Sequence, residues 1–420
     1  TPSHTFPHLP TPSHTFSELL RRTRRLLPPP LRRSRSEGCS KAPHQRGVDH
    51  EVVRSPLCED ELVYDDEQLG VSTVYEVLLS TVRRFGHRPC LGTRQALPSG
   101  ELGRYTWCSY NALYKRVLSV GSGLRRLGVQ RGEFVGLLCD NGPEWVVTEQ
   151  ACHAYGLVSV PLWSTVGIAY VEKLLQDSGV VAVVCSDRWT SALLGLACEG
   201  KVGELRLLVQ LSTLGYDELV LKETLPPDRQ LKLYDLCFVE RMGECQRLPP
   251  SPSEASALAT VVYRWRLDAE PVGCRLSQAS LVASLCGLRM CMRCLVDAAD
   301  VHLSYVPLAH IFERSLLHLC LAVGAAVGFY TGAQAAFLED VRVLRPSFIV
   351  GLPGAFRQLQ RKYERLTAQW VAPYRRLFEW AWRRKLAAIR HARVGSQPLL
   401  DWLFFGQVAA SLGGRVKFVL

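Results

Sequence analysis

The sequence predicts an α/β fold built on mainly parallel sheets that are covered by helices. From residue 72 onward, segments with the helical period alternate with short apolar segments of strand length. Segments such as 134–138 and 180–185 are apolar at nearly every position, so neither face of these strands suits water, which is typical of parallel sheets. The chain has 420 residues, of which 47% are hydrophobic, so it can bury a large core and is neither wholly disordered nor collagen-like.

In the first half of the alternating region, helices and strands can be predicted one after another along the chain. Residues 74–85 have the helical period, and residues 109–127 form an amphipathic helix that ends before Gly128. Residues 143–155 are predicted to be a helix because proline suits its first turn. The remaining predictions are strands at 104–107, 134–138, 158–162 and 180–185 and a helix at 168–178.

The second half begins after a break in this pattern. Proline pairs at 226–227 and 249–250 interrupt residues 222–256, which we interpret as a surface connection. The predicted strands after it are 257–263, 304–306, 326–330, 348–352 and 416–420, and the predicted helices are 281–295, 312–323 and 370–391. Because the last strand has nothing after it, we expect the chain to be truncated at its C-terminal end.

The first 58 residues have a different composition. They contain a hexapeptide that occurs twice, arginine clusters and three consecutive prolines, so we predict a disordered, basic and proline-rich leader. A targeting sequence or a membrane-surface tether is the alternative interpretation. Residues 1–50 carry nine basic and three acidic side chains, so they supply six of the eleven net positive charges. The rest of the chain is nearly balanced, which argues against a basic groove for nucleic acid.

Cysteine usage indicates a cytosol-facing protein with reduced thiols. The fifteen cysteines are scattered along a chain that is too large to need disulfide stapling. Cys286, Cys291 and Cys294 have a spacing that could serve an iron–sulfur or zinc site. We predict small apolar core residues and no metal site instead, because the surrounding segment is apolar at helical spacing. No run of 18 apolar residues occurs, so no membrane-spanning helix is predicted.

Several short motifs then follow one another in a characteristic order. They are Gly-Pro-Glu-Trp at 142–145 with Glu-Gln-Ala-Cys at 149–152, Val-Pro-Leu at 160–162, Tyr-Val-Pro-Leu-Ala-His-Ile-Phe-Glu-Arg at 305–314, Val-Gly-Phe-Tyr-Thr-Gly at 327–332, Leu-Arg-Pro at 344–346 and Ser-Leu-Gly-Gly-Arg-Val at 411–416. From about residue 73 to residue 420, the chain resembles the long-chain acyl-CoA synthetases, which are long-chain fatty acid–CoA ligases of the adenylate-forming (AMP-binding) superfamily.

The resemblance implies both a fold and a reaction. Residues 59–420 would form an incomplete N-terminal large domain of the adenylate-forming fold, without the small C-terminal domain. Family members join ATP and a long-chain fatty acid into an acyl-adenylate, releasing pyrophosphate, and coenzyme A then displaces AMP. The family also uses magnesium. Its members face the cytosol and associate with the endoplasmic reticulum, the mitochondrial outer membrane or the peroxisome.

One loop departs from the family pattern. The family binds phosphates with a loop rich in Ser, Thr and Gly followed by a lysine, because small residues let backbone N–H groups approach the phosphates. The counterpart at 263–273 keeps Tyr263, Pro271 and Gly273, which we interpret as a vestigial phosphate loop. Bulky or acidic side chains replace the small ones between them, and Val272 replaces the lysine. We therefore predict impaired or absent ligase activity, and we assign no catalytic residue.

Two further residues are candidates for contact with substrate. The resemblance places His310 beside the acyl and adenylate site and includes Gly332 in a matching motif. A helix-capping role for His310 is equally open. The apolar segments 316–323 and 348–352 are suited either to an acyl tunnel or to ordinary core packing.

Other functions remain open at this point. A pseudoenzyme that binds fatty acid, membrane or an intact paralogue without turnover would also explain a single altered loop among matching flanks, and so would an error in assembling the sequence. Trp370, Trp380 and Trp382 lie among arginines, a pattern that suits lipid head groups or RNA but is commoner on a solvated helix. We predict a long-chain fatty acid as partner, with peripheral membrane contact and no nucleic acid. The oligomeric state stays open.

Overall fold

A computed structural model of the chain describes residues 70–98, 100–223, 231–264, 270–292, 295–332, 337–351, 353–390 and 400–420. The leader predicted at 1–58 lies outside these residues. The described helices are α1 Val74–Phe85, α2 Tyr110–Arg126, α3 Pro143–Tyr155, α4 Ile168–Ser178, α5 Asp187–Cys198, α6 Tyr216–Glu223, α7 Leu236–Cys245, α8 Gln278–Met292, α9 Ile311–Val323, α10 Phe337–Leu344, α11 Pro353–Ala368, α12 Ala372–Arg390 and α13 Gly406–Ser411.

The described strands form two sheets. They are β1 Pro89–Ala96, β2 Leu102–Ser109, β3 Phe134–Leu138, β4 Val158–Pro161, β5 Ala182–Cys185, β6 Leu207–Gln210, β7 Lys232–Asp235, β8 Leu258–Arg264, β9 Val272–Ser277, β10 Val301–Ser304, β11 Ala326–Phe329, β12 Phe348–Ile349 and β13 Phe418–Val419. The larger sheet has the order β7-β6-β5-β3-β4-β8-β9, and the smaller one has the order β13-β12-β10-β11-β1-β2.

Both sheets are mainly parallel, which confirms the predicted fold class. In the larger sheet the one antiparallel pair is the hairpin β8–β9, and in the smaller sheet it is β1–β2. Every residue of β4, β5 and β6 is buried. One continuous cluster of buried side chains includes residues of both sheets, such as Val135 of β3 and Val327 of β11. Because both faces of these strands are buried, their sequences are apolar at nearly every position.

The helices begin and end where the sequence provides caps. Thr73 and Glu76 form a capping box at the start of α1, in which each side chain accepts from the other residue's backbone N–H. Helix α3 has Pro143 in its first turn and ends at Gly156, whose φ of 66° suits glycine. Clear end signals of this kind explain why the bounds predicted for α1, α3 and α4 agree with the structure.

The prediction of a surface connection at 222–256 needs correction. Within this segment, β7 pairs in parallel with β6, and α7 follows it directly. Asp235 caps α7 by accepting the N–H of Phe238 at 2.7 Å, and Val239 is fully buried. The prolines flank these two short elements instead of filling the segment. A strand of four residues is too short to show a period between such breaks.

The interpretation of the cysteine triplet is correct only in part. Cys286 on α8 is buried, as expected for a small core residue, whereas Cys291 is exposed. Cys294 lies outside the described residues. The described helix runs from Gln278 to Met292, so it begins three residues before the predicted helix at 281–295.

Helix α12 is attached to the rest of the fold through aromatic side chains. A π-helical turn at Asp401–Phe405 brings two consecutive phenylalanines to the same helix, with Phe404 and Phe405 centred 5.8 and 6.0 Å from the ring of Phe378. Lys385 pairs with Asp401 beside them. Among the described helices, none is both long enough and apolar enough to cross a lipid bilayer.

Candidate functional site

The hairpin β8–β9 contains the segment predicted to be a phosphate loop. Tyr263 pairs with Gly273, and Arg264 pairs with Val272, so residues 265–271 connect the two strands. Trp265, Arg266, Leu267, Asp268 and Ala269 lie outside the described residues. A Cβ on Gly273 would stand 2.9 Å from Cγ1 of Val261 and 3.2 Å from the ring of Tyr263, so only glycine fits without displacing its neighbours.

Tyr263 has a structural role at the base of the hairpin. Its side chain is buried, and its hydroxyl donates to Oδ2 of Asp177 on α4 at 2.6 Å. Burial and this hydrogen bond raise the pKa of the phenol. The side chain therefore fixes β8 against α4 and does not face the loop connection.

The described ends of the loop carry side chains of different charge, with the exposed Arg264 at the end of β8. Glu270 is exposed and forms an ion pair with Lys173 of α4 at 3.2 Å. Val272, where the family has a lysine, is 51% exposed and provides no donor from its side chain. The carboxylate of Glu270 repels phosphate, whereas the guanidinium of Arg264 attracts it.

Trp163 connects the hairpin to a second candidate residue. It follows β4, and its indole N–H donates to the carbonyl oxygen of Tyr263 at 3.3 Å. The edge of its ring faces His310, with ring centres 6.1 Å apart. Sequence reasoning missed Trp163, because the matching motif at 160–162 ends one residue before it.

His310 is the N-cap residue of α9. Its Nδ1 accepts the backbone N–H of Phe312 at 3.2 Å, and its side chain is exposed. The capping interpretation is therefore confirmed, and contact with substrate stays a prediction. Gly332 follows β11 of the other sheet with a φ of 89°, and no described atom lies within 4 Å of the position of a Cβ there. Trp163 thus links Tyr263, which pairs with Gly273, to His310, whereas Gly332 follows a strand of the other sheet.

Asn141 holds the segment before His310 in place. It lies just after β3, and its amide nitrogen donates to Oγ of Ser304 at 3.0 Å and to the carbonyl oxygen of Val306 at 2.7 Å. Its amide oxygen accepts the N–H of Leu308 at 2.8 Å. Asn141 therefore joins the carboxyl end of a strand in the larger sheet to the carboxyl end of β10 in the smaller one.

A buried ion pair connects helices α3 and α9. Glu149 of α3 and Arg314 of α9 are both fully buried, with Oε1 and Nε 2.9 Å apart, and His318 lies 3.1 Å from the other carboxylate oxygen. Burial alone would raise the pKa of Glu149, but Arg314 and His318 outweigh it and hold the pKa well below its usual range. Arg314 also donates to Oγ1 of Thr260 on β8 at 3.2 Å. This network ties the strand that enters the hairpin to two helices.

The hydrogen bonds of His153 decide whether this cluster can hold a metal ion. Glu149, His153 and His318 offer ligand atoms that lie within 4.8 Å of one another. However, Val74 donates its N–H to the oxygen of Gln278, so the amide nitrogen of Gln278 donates to Nδ1 of His153. The proton of the neutral ring is then on Nε2, which faces Glu149, and a protonated nitrogen cannot ligate. We interpret the cluster as a charge network.

The acyl tunnel predicted at 316–323 and 348–352 coincides with the core. Leu316, Phe348 and Ile349 are fully buried, and Leu316 packs with Val306 and Val350. Leu352 lies outside the described residues. Core packing accounts for these side chains, so the tunnel remains a prediction.

Comparison with known proteins gives a consistent result. Residues 80–404 match the sequence model of the family described as AMP-binding enzyme. The chain is 32% identical over 374 residues to long chain acyl-CoA synthetase 7, peroxisomal, of Arabidopsis thaliana, covering 88% of this chain and 51% of the relative. It is 31% identical to fatty acyl-CoA synthetase A of Dictyostelium discoideum, covering 79% and 48%. It is 29% identical to long-chain-fatty-acid–CoA ligase 1 of Cavia porcellus, covering 85% and 50%.

Solved structures show the same fold. The adenylation domain of a carboxylate reductase from Mycobacterium chelonae superimposes with a TM-score of 0.68 at 19% identity, covering 85% of this chain and 54% of that one. The adenylation domain of a carboxylic acid reductase from Segniliparus rugosus, in complex with AMP and a carboxylic acid, superimposes with a TM-score of 0.62 at 18% identity, covering 84% and 56%. The chain spans about half the length of the curated relatives that it matches.

Proposed function

Because the chain belongs to the AMP-binding enzyme family, and its relatives include long-chain acyl-CoA synthetases, we propose that it is a long-chain fatty acid–CoA ligase with impaired adenylate formation. Its substrate class would be long-chain fatty acids, and the reaction of an intact relative would use ATP, magnesium and coenzyme A. His310, exposed at the start of α9, would face the acyl substrate. Gly332 would contribute backbone space after β11.

One observation carries the proposed impairment. The hairpin is present, with Tyr263 opposite Gly273, but its described ends carry Glu270 and Val272 where a phosphate needs donors. The residues from 264 to 272 include two arginines, Arg264 and Arg266, but neither glycine nor a hydroxyl side chain. Arginine attracts phosphate as a charge, yet bulky side chains prevent the close approach of backbone N–H groups that this type of cradle needs.

The alternative function is a non-catalytic protein that binds fatty acid, membrane or an intact paralogue. The buried pair of Glu149 and Arg314 and the bridge made by Asn141 favour it, because the framework of the family persists beside the altered loop. Its location would be on cytosol-facing membranes of the endoplasmic reticulum, mitochondrial outer membrane or peroxisome. One plant relative is named as peroxisomal.

Nucleotide binding tests the proposed impairment directly. Titration calorimetry with ATP and magnesium is expected to give no binding signal for the natural chain. The variant Trp265→Ser/Arg266→Gly/Val272→Lys restores small residues and a lysine, and it is expected to gain binding. Val272→Ala is the matched control, because it changes the same position without adding a charge, and it should bind no better than the natural chain.

Fatty acid binding and ATP–pyrophosphate exchange test the proposed substrate class and the proposed impairment together. A fluorescent long-chain fatty acid should bind the purified chain, and fatty-acid-dependent exchange between ATP and pyrophosphate should be absent. Measurable exchange by the natural chain would contradict the proposed impairment. Binding without exchange supports the non-catalytic alternative equally. Failure to bind fatty acid contradicts the ligase proposal and leaves the alternative only with membrane or an intact paralogue as its partner.

A further inference from the structure

We propose that the outward face of α12 docks onto an anionic lipid surface. This face, the tryptophan–arginine face, consists of Arg376, Leu377, Trp380, Arg383 and Arg384. The inference depends on the exposure and charge of one helix, so it holds whether or not the hairpin binds nucleotide.

The helix presents two different faces. Leu377, Trp380 and Arg384 are spaced three and four residues apart, so they lie on one side. On the other side Ala381 is fully buried, and Phe378 packs against Phe404. The aromatic cluster thus fixes the orientation of α12 and leaves the tryptophan–arginine face directed outward.

Apolar exposure is concentrated along this helix. Of the eighteen large apolar side chains that are exposed in the described part of the chain, five lie within residues 371–382. Leu377 is 46% exposed and Trp380 is 49% exposed. Leu377 and Trp380, which are three residues apart, are the two of these five that lie on the tryptophan–arginine face, where they are neighbours.

The charge of the same helix selects the partner. Helix α12 carries six basic side chains and one acidic one, Glu379. Glu379 pairs with Arg375, which lies outside the tryptophan–arginine face. Arg384 stacks over the ring of Trp380 at 5.4 Å, so a positive charge and an indole lie side by side in the outer surface. This arrangement is complementary to a surface that is anionic outside and apolar beneath.

A lipid surface fits these residues better than RNA does. Tryptophan and arginine suit both partners, because indole rings stack on bases as well as entering the membrane interface. Leu377 adds apolar area that would be buried among acyl chains and would gain nothing from base stacking.

Vesicle sedimentation with the full chain tests the inference. The chain is expected to bind vesicles that contain phosphatidylserine more tightly than vesicles of phosphatidylcholine alone, and added salt should weaken this binding. Arg376→Gln/Arg383→Gln and, separately, Leu377→Ala/Trp380→Ala should each weaken binding about tenfold or more. The basic leader is present in every variant, so differences between variants report on α12.

Two substitutions outside α12 serve as matched controls. Leu219→Ala on α6 removes a leucine that is 44% exposed, close to the exposure of Leu377, and Arg275→Gln on β9 removes one exposed positive charge. Both control variants should bind vesicles as tightly as the natural chain does. Circular dichroism and thermal unfolding should show that all variants remain folded.

A second measurement does not depend on large substitutions. Lipids brominated on their acyl chains should quench the tryptophan fluorescence of the bound chain, and Trp380→Phe should reduce the quenching while binding persists. Binding that is unchanged in both α12 double variants would overturn the inference. So would binding to single-stranded RNA, with no vesicle binding, that is lost in the same variants.

Discussion

Trp163 contacts two separate parts of the candidate site. Its N–H reaches the carbonyl oxygen of Tyr263, which is 100 residues away in sequence, and its ring meets His310. Neither contact can be predicted from the sequence, because the residue has no periodicity or spacing relation to its partners. His310, in contrast, was found from its motif, although the sequence left its capping role open.

At this scale, we expect Trp163→Phe to destabilise the protein by about 1 kcal/mol beyond the loss of packing, because the carbonyl oxygen of Tyr263 loses a donor. Urea unfolding measures the change. Trp189→Phe is the control, since the N–H of Trp189 is buried and has no acceptor among the described residues. Its removal relieves an unsatisfied donor, so equal or greater destabilisation by the control would contradict the role assigned to Trp163.

At the scale of elements, the hairpin β8–β9 depends on a glycine. Gly273→Ala would place a methyl group 2.9 Å from Val261 and 3.2 Å from Tyr263, so we expect a loss of about 1–3 kcal/mol in the free energy of unfolding. Gly287→Ala on α8 is the matched control, because no atom lies within 4 Å of its Cβ position and alanine favours a helix. The control should be neutral or slightly stabilising. Chemical denaturation of both variants measures the two changes in the free energy of unfolding.

Elements with strong end signals could be predicted, and others could not. The bounds of α3 follow from Pro143 and Gly156, and β3 is apolar throughout. Strand β6 was missed although it is fully buried, because a strand of four residues carries too little pattern. Strand β9 was missed for a different reason. Most of its residues are partly or fully exposed, since it lies at the edge of the sheet, so no apolar pattern marks it.

At the scale of the whole molecule, the buried ion pair ties α3, α9 and β8 together. Arg314→Met would leave Glu149 as a buried carboxylate without its main partner, and we expect a loss of about 3–5 kcal/mol. The double variant Arg314→Met/Glu149→Gln should recover part of it. Lys115→Met, which breaks an exposed pair with Glu244, is the control and should change stability little. If Arg314→Met and Lys115→Met lower the free energy of unfolding by the same amount, the network does not hold these elements together.

The same pair predicts a dependence on pH. The pKa of Glu149 is lower in the folded protein than in the unfolded chain, so its contribution to stability is complete above the unfolded value of about 4.3. As the pH falls further, the unfolded chain binds the proton first and this stability is lost. The slope of unfolding free energy against pH should therefore be shallower in the double variant than in the natural chain.

The fold class and the family could be predicted, whereas the arrangement of the two sheets could not. Alternating helices and apolar strands predict parallel sheets, but they do not reveal that Asn141 would connect one sheet to the other. That connection depends on side-chain geometry across 163 residues of sequence.

The position of Asn141 has a chemical consequence. Asparagine followed by glycine, as at Asn141-Gly142, is the pair in which the next backbone nitrogen attacks the side-chain amide with least hindrance, because glycine has no Cβ. Deamidation would replace the nitrogen that donates to Ser304 and Val306 with an acceptor oxygen. The hydroxyl of Ser304 could then donate to this oxygen, whereas the carbonyl oxygen of Val306 would be repelled by it. Chemical ageing at this one asparagine would therefore loosen the connection between the two sheets, and the hydrogen bonds that hold the amide in place oppose the attack.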